Sequence, residues 1–402
     1  MKYIFILGRT PELSLAEIRS VFAAKKIQYE IIKTSREVAI IDALTEVDIE
    51  KLNRTLGGVV KIGAVAEEKE ISDNYAEILS ENILDSVPKN ETSKIEFGIS
   101  IYSLNGDRFL IDNLVKGKFE ATKTIKNWFE QKGVKAHFPQ SMERFLSSAA
   151  VGKNKLIEKG AEILIIVGES KIYIGKTLAI QEFEQFSKRD YGRPERDMKS
   201  GMIPPKLARI MINLSGAKSD QTLLDPFCGS GTVLQEGLFL GFKNVFGTDT
   251  SAKAIEDTKT NLEWLSRKFG LSTDGARVEQ KDVRNISKIW EETIDVIVTE
   301  PYLGPTLHQR AGVEEINKNK QSLERLYVDA FSEFKKVLKK GGAVVIIFPV
   351  FQGKRQIFMD VLDKIKGMGF QQADLSQTPR KSIVVGNRFD FVLREVAKFK
   401  AA

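Results

Sequence analysis

Residues 225–232 read Asp-Pro-Phe-Cys-Gly-Ser-Gly-Thr. A short apolar run, Thr222–Leu224, precedes them, and a helical pattern from Thr232 to Leu240 follows. A Gly-rich loop between strand and helix sits at the carboxyl end of the strand, where open α/β sheets bind ligands. Gly229 and Gly231 allow a tight turn and a close approach of backbone to ligand. A phosphate-cradling P-loop needs Lys after its last Gly, where Thr232 stands, and a dinucleotide loop needs a third Gly that is missing. The carboxylate of Asp225 suits a cationic or amine-bearing ligand better than a pyrophosphate. Asp249 closes the next apolar run, about 20 residues beyond the loop, the spacing of a ribose-binding acid. Asp282, followed by Val283, closes the third strand, where an acid can accept from an exocyclic adenine amine. Asp225, Pro226, Phe227, Gly229, Gly231, Thr232, Asp249, Asp282 and Val283 thus outline a nucleoside pocket with an amino-acid end, which fits S-adenosylmethionine better than NAD or ATP. Each acid alone has a plainer reading as a helix or turn cap. Three at successive strand ends, in register with the Gly loop, favour the cofactor.

The elements that must position these groups are legible. From Pro204 on, strands at Thr222–Leu224, Val245–Thr248, Arg277–Gln280, Ile294–Thr299 and Ala343–Phe348 alternate with helices at Thr232–Leu240, Ala252–Phe269, Leu323–Lys339 and Ile357–Met368. Such alternation predicts a mostly parallel sheet covered on both faces. Phe389–Arg394 reads as a final edge or antiparallel strand. Upstream, residues 1–70 alternate short strands (Tyr3–Leu7, Val38–Ile41, Val59–Ala64) with a helix from Pro11, which suits a small α+β domain. Residues 71–184 read as a second α+β domain. Its elements are helix Tyr75–Ile83, strand Lys94–Tyr102, helices Phe109–Lys132 and Phe145–Lys159, and a hairpin of Ile163–Val167 and Lys171–Thr177 about Gly168-Glu169-Ser170. Residues 185–200 are polar and read as a linker into residues 201–397.

Composition narrows the class. The 402 residues suffice for two or three domains. A hydrophobic share of 42% against 29% charged excludes a mainly disordered chain. No apolar run approaches a membrane span of about 18 residues. One cysteine excludes an internal disulfide, and with two histidines, His137 and His308, the chain is poor in zinc ligands, so no metal is expected. Cys228 reads as a small filler of the loop, not a nucleophile. The net charge of +7 divides into −4 over residues 1–100, +5 over 101–200 and +6 over 201–402. A positive excess confined to the last three quarters fits a polyanionic partner. Arg144, Lys153, Lys155, Arg193, Arg380 and Lys381 are the candidate phosphate contacts.

Asp-Pro-Phe-Cys-Gly-Ser-Gly-Thr resembles motif I of Rossmann-like S-adenosylmethionine-dependent methyltransferases, in the form common among amino-methyltransferases of RNA and DNA bases. Arg189–Pro194 and Gly201–Ala208 resemble the lead-in of THUMP-domain tRNA (guanine-N2-)-methyltransferases, and Ser147–Thr177 resembles the end of their THUMP domain. The resemblance covers most of residues 90–395. It implies an α/β protein: a Rossmann-like catalytic domain with a mostly parallel seven-stranded sheet, behind a ferredoxin-like α+β domain and a THUMP-like RNA-binding domain. It implies methylation of the guanosine exocyclic N2 of tRNA, position 10 leading, by an enzyme whose relatives sometimes work with a small activator subunit; the single cysteine makes a reduced, cytoplasmic protein the expectation.

Amino-methyltransferases carry Asp or Asn, two Pro and an aromatic at the fourth strand end; this chain has Glu300-Pro301-Tyr302-Leu303-Gly304. An acceptor side chain and a backbone carbonyl hold the two amine protons and aim the nitrogen at the methyl, so positioning supplies much of the rate. An aromatic ring stacks on the extruded base. By resemblance Glu300, Pro301 and Tyr302 are the catalytic candidates, with Glu300 also facing the cofactor. Glu300 stands one methylene further out than Asp, and Tyr302 is displaced by one residue from the usual ring. Two other readings stand beside this one. A DNA amino-methyltransferase shares the chemistry, and a non-catalytic RNA-binding protein would keep the fold with an altered motif.

Overall fold

The computed structural model describes residues 1–71, 94–141, 143–196, 202–290, 293–305, 313–353, 355–387 and 389–402. The chain forms two compact units, one of Met1–Leu15 with Lys25–Phe183, the other of Ala16–Ala24 with Glu184–Ala402.

The first unit is built on eight strands: β1 (Lys2–Leu7), β2 (Tyr29–Thr34), β3 (Val38–Ala43), β4 (Val59–Glu70), β5 (Lys94–Ser103), β6 (Lys135–His137), β7 (Gly160–Val167) and β8 (Lys171–Ile180). They lie in the order β2-β3-β1-β4-β8-β7-β5-β6. The boundary expected at residue 70 falls at the end of β4, yet β4 pairs with β1 on one side and β8 on the other. Strands from both expected segments therefore share one sheet. The predicted hairpin is present, with Gly168 N donating to Lys171 O at 2.8 Å. Helices α1 (Pro11–Ala24), α2 (Ile49–Thr55), α3 (Arg108–Gln131) and α4 (Ser148–Lys153) complete the described elements up to β8. The helix expected over Phe145–Lys159 is only α4: Ser147 caps its start, and Lys155 turns to φ 51°, outside the helical region. Helix Tyr75–Ile83 lies outside the described residues. Within this sheet Lys61 and Glu162 form a fully buried ion pair. Ser100 Oγ donates to Glu162 Oε1 at 2.5 Å, Thr177 Oγ1 donates to Oε2 at 2.6 Å, and Lys61 Nζ also donates to Leu146 O at 2.7 Å.

The second unit opens with α5 (Phe183–Tyr191), so the expected linker is helical in its first part, and α6 (Pro205–Ser215) follows. The sheet strands are β9 (Thr222–Asp225), β10 (Asn244–Asp249), β11 (Ala276–Gln280), β12 (Ile294–Thr299), β13 (Leu338–Gln352), β14 (Gln356–Ile357), β15 (Phe370–Ala373), β16 (Ile383–Val385) and β17 (Val392–Ala401). The main path runs β11-β10-β9-β12-β13-β17-β15, with β14 on β13 and β16 on β17. The pairs from β11 to β13 are parallel, and β17 is antiparallel to both neighbours. The strand expected at Phe389–Arg394 thus begins at Val392 and lies inside the sheet, where its apolar residues can be buried on both faces. Helices α7 (Thr232–Phe239), α8 (Ala252–Phe269), α9 (Val313–Val337) and α10 (Leu362–Gly367) are joined by a 3-10 turn at Val283–Lys288. On one face, Tyr327, Phe331 and Phe334 of α9 pack with Phe348 and Phe399 in the largest aromatic cluster. Because the chain steps outward from β9 in both directions, the strand order reverses between β9 and β12, which is where doubly wound sheets open a crevice. Among the described residues no helix is long and apolar enough to cross a membrane.

Candidate active site

Asp225 ends β9 beside that crevice. It is buried, and its Oδ1 accepts from Thr299 Oγ1 at 2.6 Å and from Phe227 N at 3.1 Å. Burial pushes its carboxyl up to about 7, the two hydrogen bonds oppose the shift, and the charges of Asp249 and Glu300 add to it. The cost of burying the charged form outweighs the two donors.

The loop after Asp225 is held from below. Cys228 N donates to Thr248 O at 2.9 Å, and Thr258 Oγ1 of α8 donates to Gly229 O at 2.7 Å. Asn261 Nδ2 donates to Ser230 O at 2.9 Å. Gly231 has φ 84°, and a Cβ there would stand 2.8 Å from Thr258 Cγ2. Gly229 has φ 51° and opens the other way, since a Cβ there meets nothing within 4 Å. Burial pushes the Cys228 thiol up, which suits a filler and disfavours a thiolate. Pro226 O accepts from Thr248 Oγ1 at 3.3 Å, and Phe227 packs against the hydrophobic core of this unit.

Asp249 follows at the end of β10, half-buried. Its Oδ2 accepts from Gly229 N at 3.1 Å and its Oδ1 from Ser251 N at 2.9 Å. Asp282 caps the 3-10 turn, accepting from Arg284 N at 2.9 Å, while the Arg284 guanidinium holds both carboxylate oxygens. That guanidinium keeps the Asp282 carboxyl below the usual range. Val283 is buried and belongs to the core beneath. The capping reading of these acids therefore holds, with both oxygens of each carboxylate accepting within the chain: those of Asp249 from Gly229 and Ser251, those of Asp282 from Arg284.

Glu300 follows β12 on the far side of the crevice. Its Oε1 accepts from Arg394 Nε of β17 at 2.5 Å. Pro301 is buried, and Tyr302 is 53% exposed. The Tyr302 carbonyl accepts from the hydroxyl of Tyr327 at 3.0 Å. Burial pushes that hydroxyl well above its ordinary range, so it stays a donor. Gly304 has φ 100°, which ends the run with a turn closed to other residues.

Thr232 opens α7, buried, with its Oγ1 accepting from Arg193 Nη1 at 2.6 Å. Arg193, expected at RNA phosphates, is therefore a buried brace of the loop and presents no guanidinium to solvent. Arg380 is likewise committed, donating from Nε to the buried Glu395 at 2.7 Å, and Ser382 shares that acid. Arg144 pairs with Glu37 at 2.5 Å and is partly exposed; Lys153, Lys155 and Lys381 are exposed. His308 lies outside the described residues. Several supports have no motif in the sequence. Arg189 and Arg209 converge on the buried Glu236 of α7 at 2.5 and 2.7 Å. A lone acid in the apolar helix Thr232–Phe239, and polar Thr258 and Asn261 in the apolar stripe of α8, were the readable signs of such partners.

The donor set fits a cationic amino acid joined to a nucleoside: buried Asp225 beside the open face of Gly229, then Asp249 and Asp282 along successive strand ends. The RMKL-like methyltransferase-domain family model matches residues 193–363. The tRNA (guanine(10)-N2)-dimethyltransferase of Methanothermobacter thermautotrophicus is 26% identical over 344 residues, covering 84% of this chain and 86% of that protein. The probable tRNA (guanine(10)-N2)-dimethyltransferase of Methanothermococcus thermolithotrophicus is 30% identical over 160 residues, 39% of this chain and 84% of that protein. The crystal structure of TrmN from Thermus thermophilus shares the fold over the full length of both chains, with a TM-score of 0.59 at 16% identity. The chain belongs to the tRNA (guanine-N2-)-methyltransferase family of Rossmann-like, S-adenosylmethionine-dependent amino-methyltransferases.

Proposed function

We propose that this protein methylates the exocyclic N2 of a guanosine in tRNA, position 10 being the leading site, with S-adenosylmethionine as donor. The observation that carries the reading is that similarity to a tRNA (guanine(10)-N2)-dimethyltransferase extends over 344 residues, well beyond the catalytic unit that base methyltransferases share. A DNA amino-methyltransferase would need no counterpart of the first unit.

When bound, S-adenosylmethionine supplies an electrophilic methyl on a sulfonium. Asp225 and the backbone of Gly229 and Gly231 would hold its amino-acid end, Asp249 would accept from the ribose, and Asp282, above the buried Val283, would face the adenine. Pro226, Phe227 and Thr232 keep the loop in shape. Glu300 accepts one proton of the guanine N2 amine and the Pro301 carbonyl accepts the other. The lone pair so aimed would face the methyl that the bound cofactor would supply, with the sulfur as leaving group. Glu300 takes the proton that N2 sheds and passes it to water. The exposed Tyr302 ring stacks on the extruded base. Residues 1–70 and the THUMP-like residues 71–184 grip the RNA by shape, residues 185–200 join them to the catalytic residues 201–397, and Arg144, Lys153, Lys155 and Lys381 meet phosphates. The enzyme works in the cytoplasm, where tRNA is found.

The test is methyl transfer from labelled S-adenosylmethionine to unmodified tRNA, followed by nucleoside analysis, with Glu300→Ala and a tRNA lacking guanosine at position 10 as controls. Labelled N2-methylguanosine or N2,N2-dimethylguanosine, lost in both controls, is the expected result. Transfer to DNA but not tRNA, or no transfer despite measurable cofactor binding, would overturn it.

A further inference from the structure

A glutamate in place of the shorter acceptor brings one more rotatable bond to a group whose task is aim. Its carboxylate must hold an amine proton while a methyl arrives in line, and each free torsion disperses that geometry. The structure shows what restrains it. Thr299 stands opposite Ile346 of β13, and Arg394 stands opposite Pro349 of the same strand, reached from β17 on its other side. The Arg394 side chain therefore crosses the carboxyl end of β13 and puts its Nε 2.5 Å from Glu300 Oε1. The Glu300 side chain is 12% exposed and that of Arg394 27%, so the pair is largely shielded from water. Among the described residues, the Arg394 side chain has no other hydrogen-bond partner and Glu300 Oε2 has none. One oxygen is tied and one is left for the substrate. A second anchor acts two residues on, where Tyr327 ties the Tyr302 carbonyl.

Asp225 faces the same space and its carboxyl feels the Glu300 charge. A neighbouring cation is what lets two carboxylates flank one crevice without driving each other apart. The cation comes from the antiparallel strand β17 and not from the parallel strands that carry the acids.

We propose that Arg394 is the positioning residue of this variant site: it clamps Oε1 of Glu300 so that Oε2 meets the amine proton of the substrate. The proposal rests on the methyl-transfer reading above. Arg394 touches neither cofactor nor reacting atoms, so it acts through Glu300 alone.

The test uses the full chain in single-turnover methyl transfer to unmodified tRNA at saturating cofactor, with Arg394→Ala, Arg394→Lys, Glu300→Gln and the double variant Glu300→Gln/Arg394→Ala. Circular dichroism and thermal melting accompany each. Arg394→Ala should slow transfer at least about tenfold, as misplacement of an acceptor by a fraction of an ångström does. Affinities for tRNA and S-adenosylmethionine should stay within about twofold, because a positioning defect appears in the chemical step. Arg394→Lys should recover most of the rate, and in the Glu300→Gln background loss of Arg394 should cost about twofold or less, since the clamp then has no charge to hold. An unchanged rate in Arg394→Ala, an equal loss in the Glu300→Gln background, or a loss carried by tRNA affinity would overturn the proposal; the last would make Arg394 a phosphate contact. A wild-type protein that itself transfers no methyl to tRNA would overturn the underlying reading as well. That failure is seen before any variant is compared, so the two are told apart. Should Arg394→Ala melt early, Arg394→Lys and Arg394→Gln decide the matter: Lys restoring the rate over Gln at equal melting temperature supports the clamp, and equal rates refute it.

Discussion

Raising the pH from 6 to 8 should tighten S-adenosylmethionine binding about tenfold through Asp225 alone. The Asp225 carboxyl is pushed up to about 7 by burial. About one molecule in eleven then carries the carboxylate at pH 6, and about ten in eleven at pH 8. If the cationic end of the cofactor binds the charged form, affinity follows that fraction, a change of about 1.4 kcal/mol. The same shift has a sign for folding. An acid whose pKa is raised in the folded state binds more protons there than in the unfolded chain between its ordinary value near 4 and 7. Its contribution is therefore fully present below pH of about 4 and is lost as pH rises through 7, by about 4 kcal/mol at most. Bound cofactor should offset this loss, so ligand stabilisation should grow with pH. The assay is isothermal titration at pH 6, 7 and 8 in two buffers of different ionisation enthalpy, on wild type and Asp225→Asn. The cofactor's own α-amine titrates near 8 in both proteins, so their difference isolates Asp225. Wild type should release about half a proton more than the variant at pH 7. Equal pH profiles for the two proteins, with no extra proton release in wild type, would refute the reasoning.

Other outcomes follow from the same contacts. Gly231→Ala should cost about 2–4 kcal/mol in chemical unfolding, since it combines a left-handed backbone with a Cβ 2.8 Å from Thr258; a loss below about 0.5 kcal/mol would show that α8 yields easily. Tyr327→Phe should lower stability by about 1 kcal/mol and slow methyl transfer more than a hydrogen bond's share of stability would suggest, because it frees the Tyr302 carbonyl; unchanged transfer rates would show that this anchor is structural. Glu162→Ala should destabilise the first unit by about 3–5 kcal/mol by leaving the Lys61 ammonium buried without its partner. Replacing both by apolar residues should recover most of that, and a double variant as unstable as the single one would contradict the ion-pair account.

Much of the catalytic unit was legible without coordinates. Central parallel strands are near-continuous apolar runs, and Asp225, Asp249 and Glu300 stand where β9, β10 and β12 end, while Asp282 lies just beyond the exposed terminal strand β11, so order along the chain was enough to gather the four at the carboxyl ends of the strands. Gly229 and Gly231 declared themselves by type, because few other residues accept φ of 51° and 84°. Legibility ended where partners come from distant strands. Arg193 and Arg380 read as surface cations, and the fold buries one against Thr232 and commits the other to Glu395. The single sheet that joins β4 to both β1 and β8 depends on pairings far apart in sequence, so segment-by-segment patterning placed a boundary there instead. Arg394 carried no signal at all, because a strand tells which face a residue takes but not which acid lies across the next strand. Local sequence determined the type of each candidate group and its place near a strand end, through rules that act within a few residues. Which charges meet, which are buried and which oxygen of Glu300 stays free were decided by tertiary structure alone, since Coulomb forces and desolvation depend on distance in space.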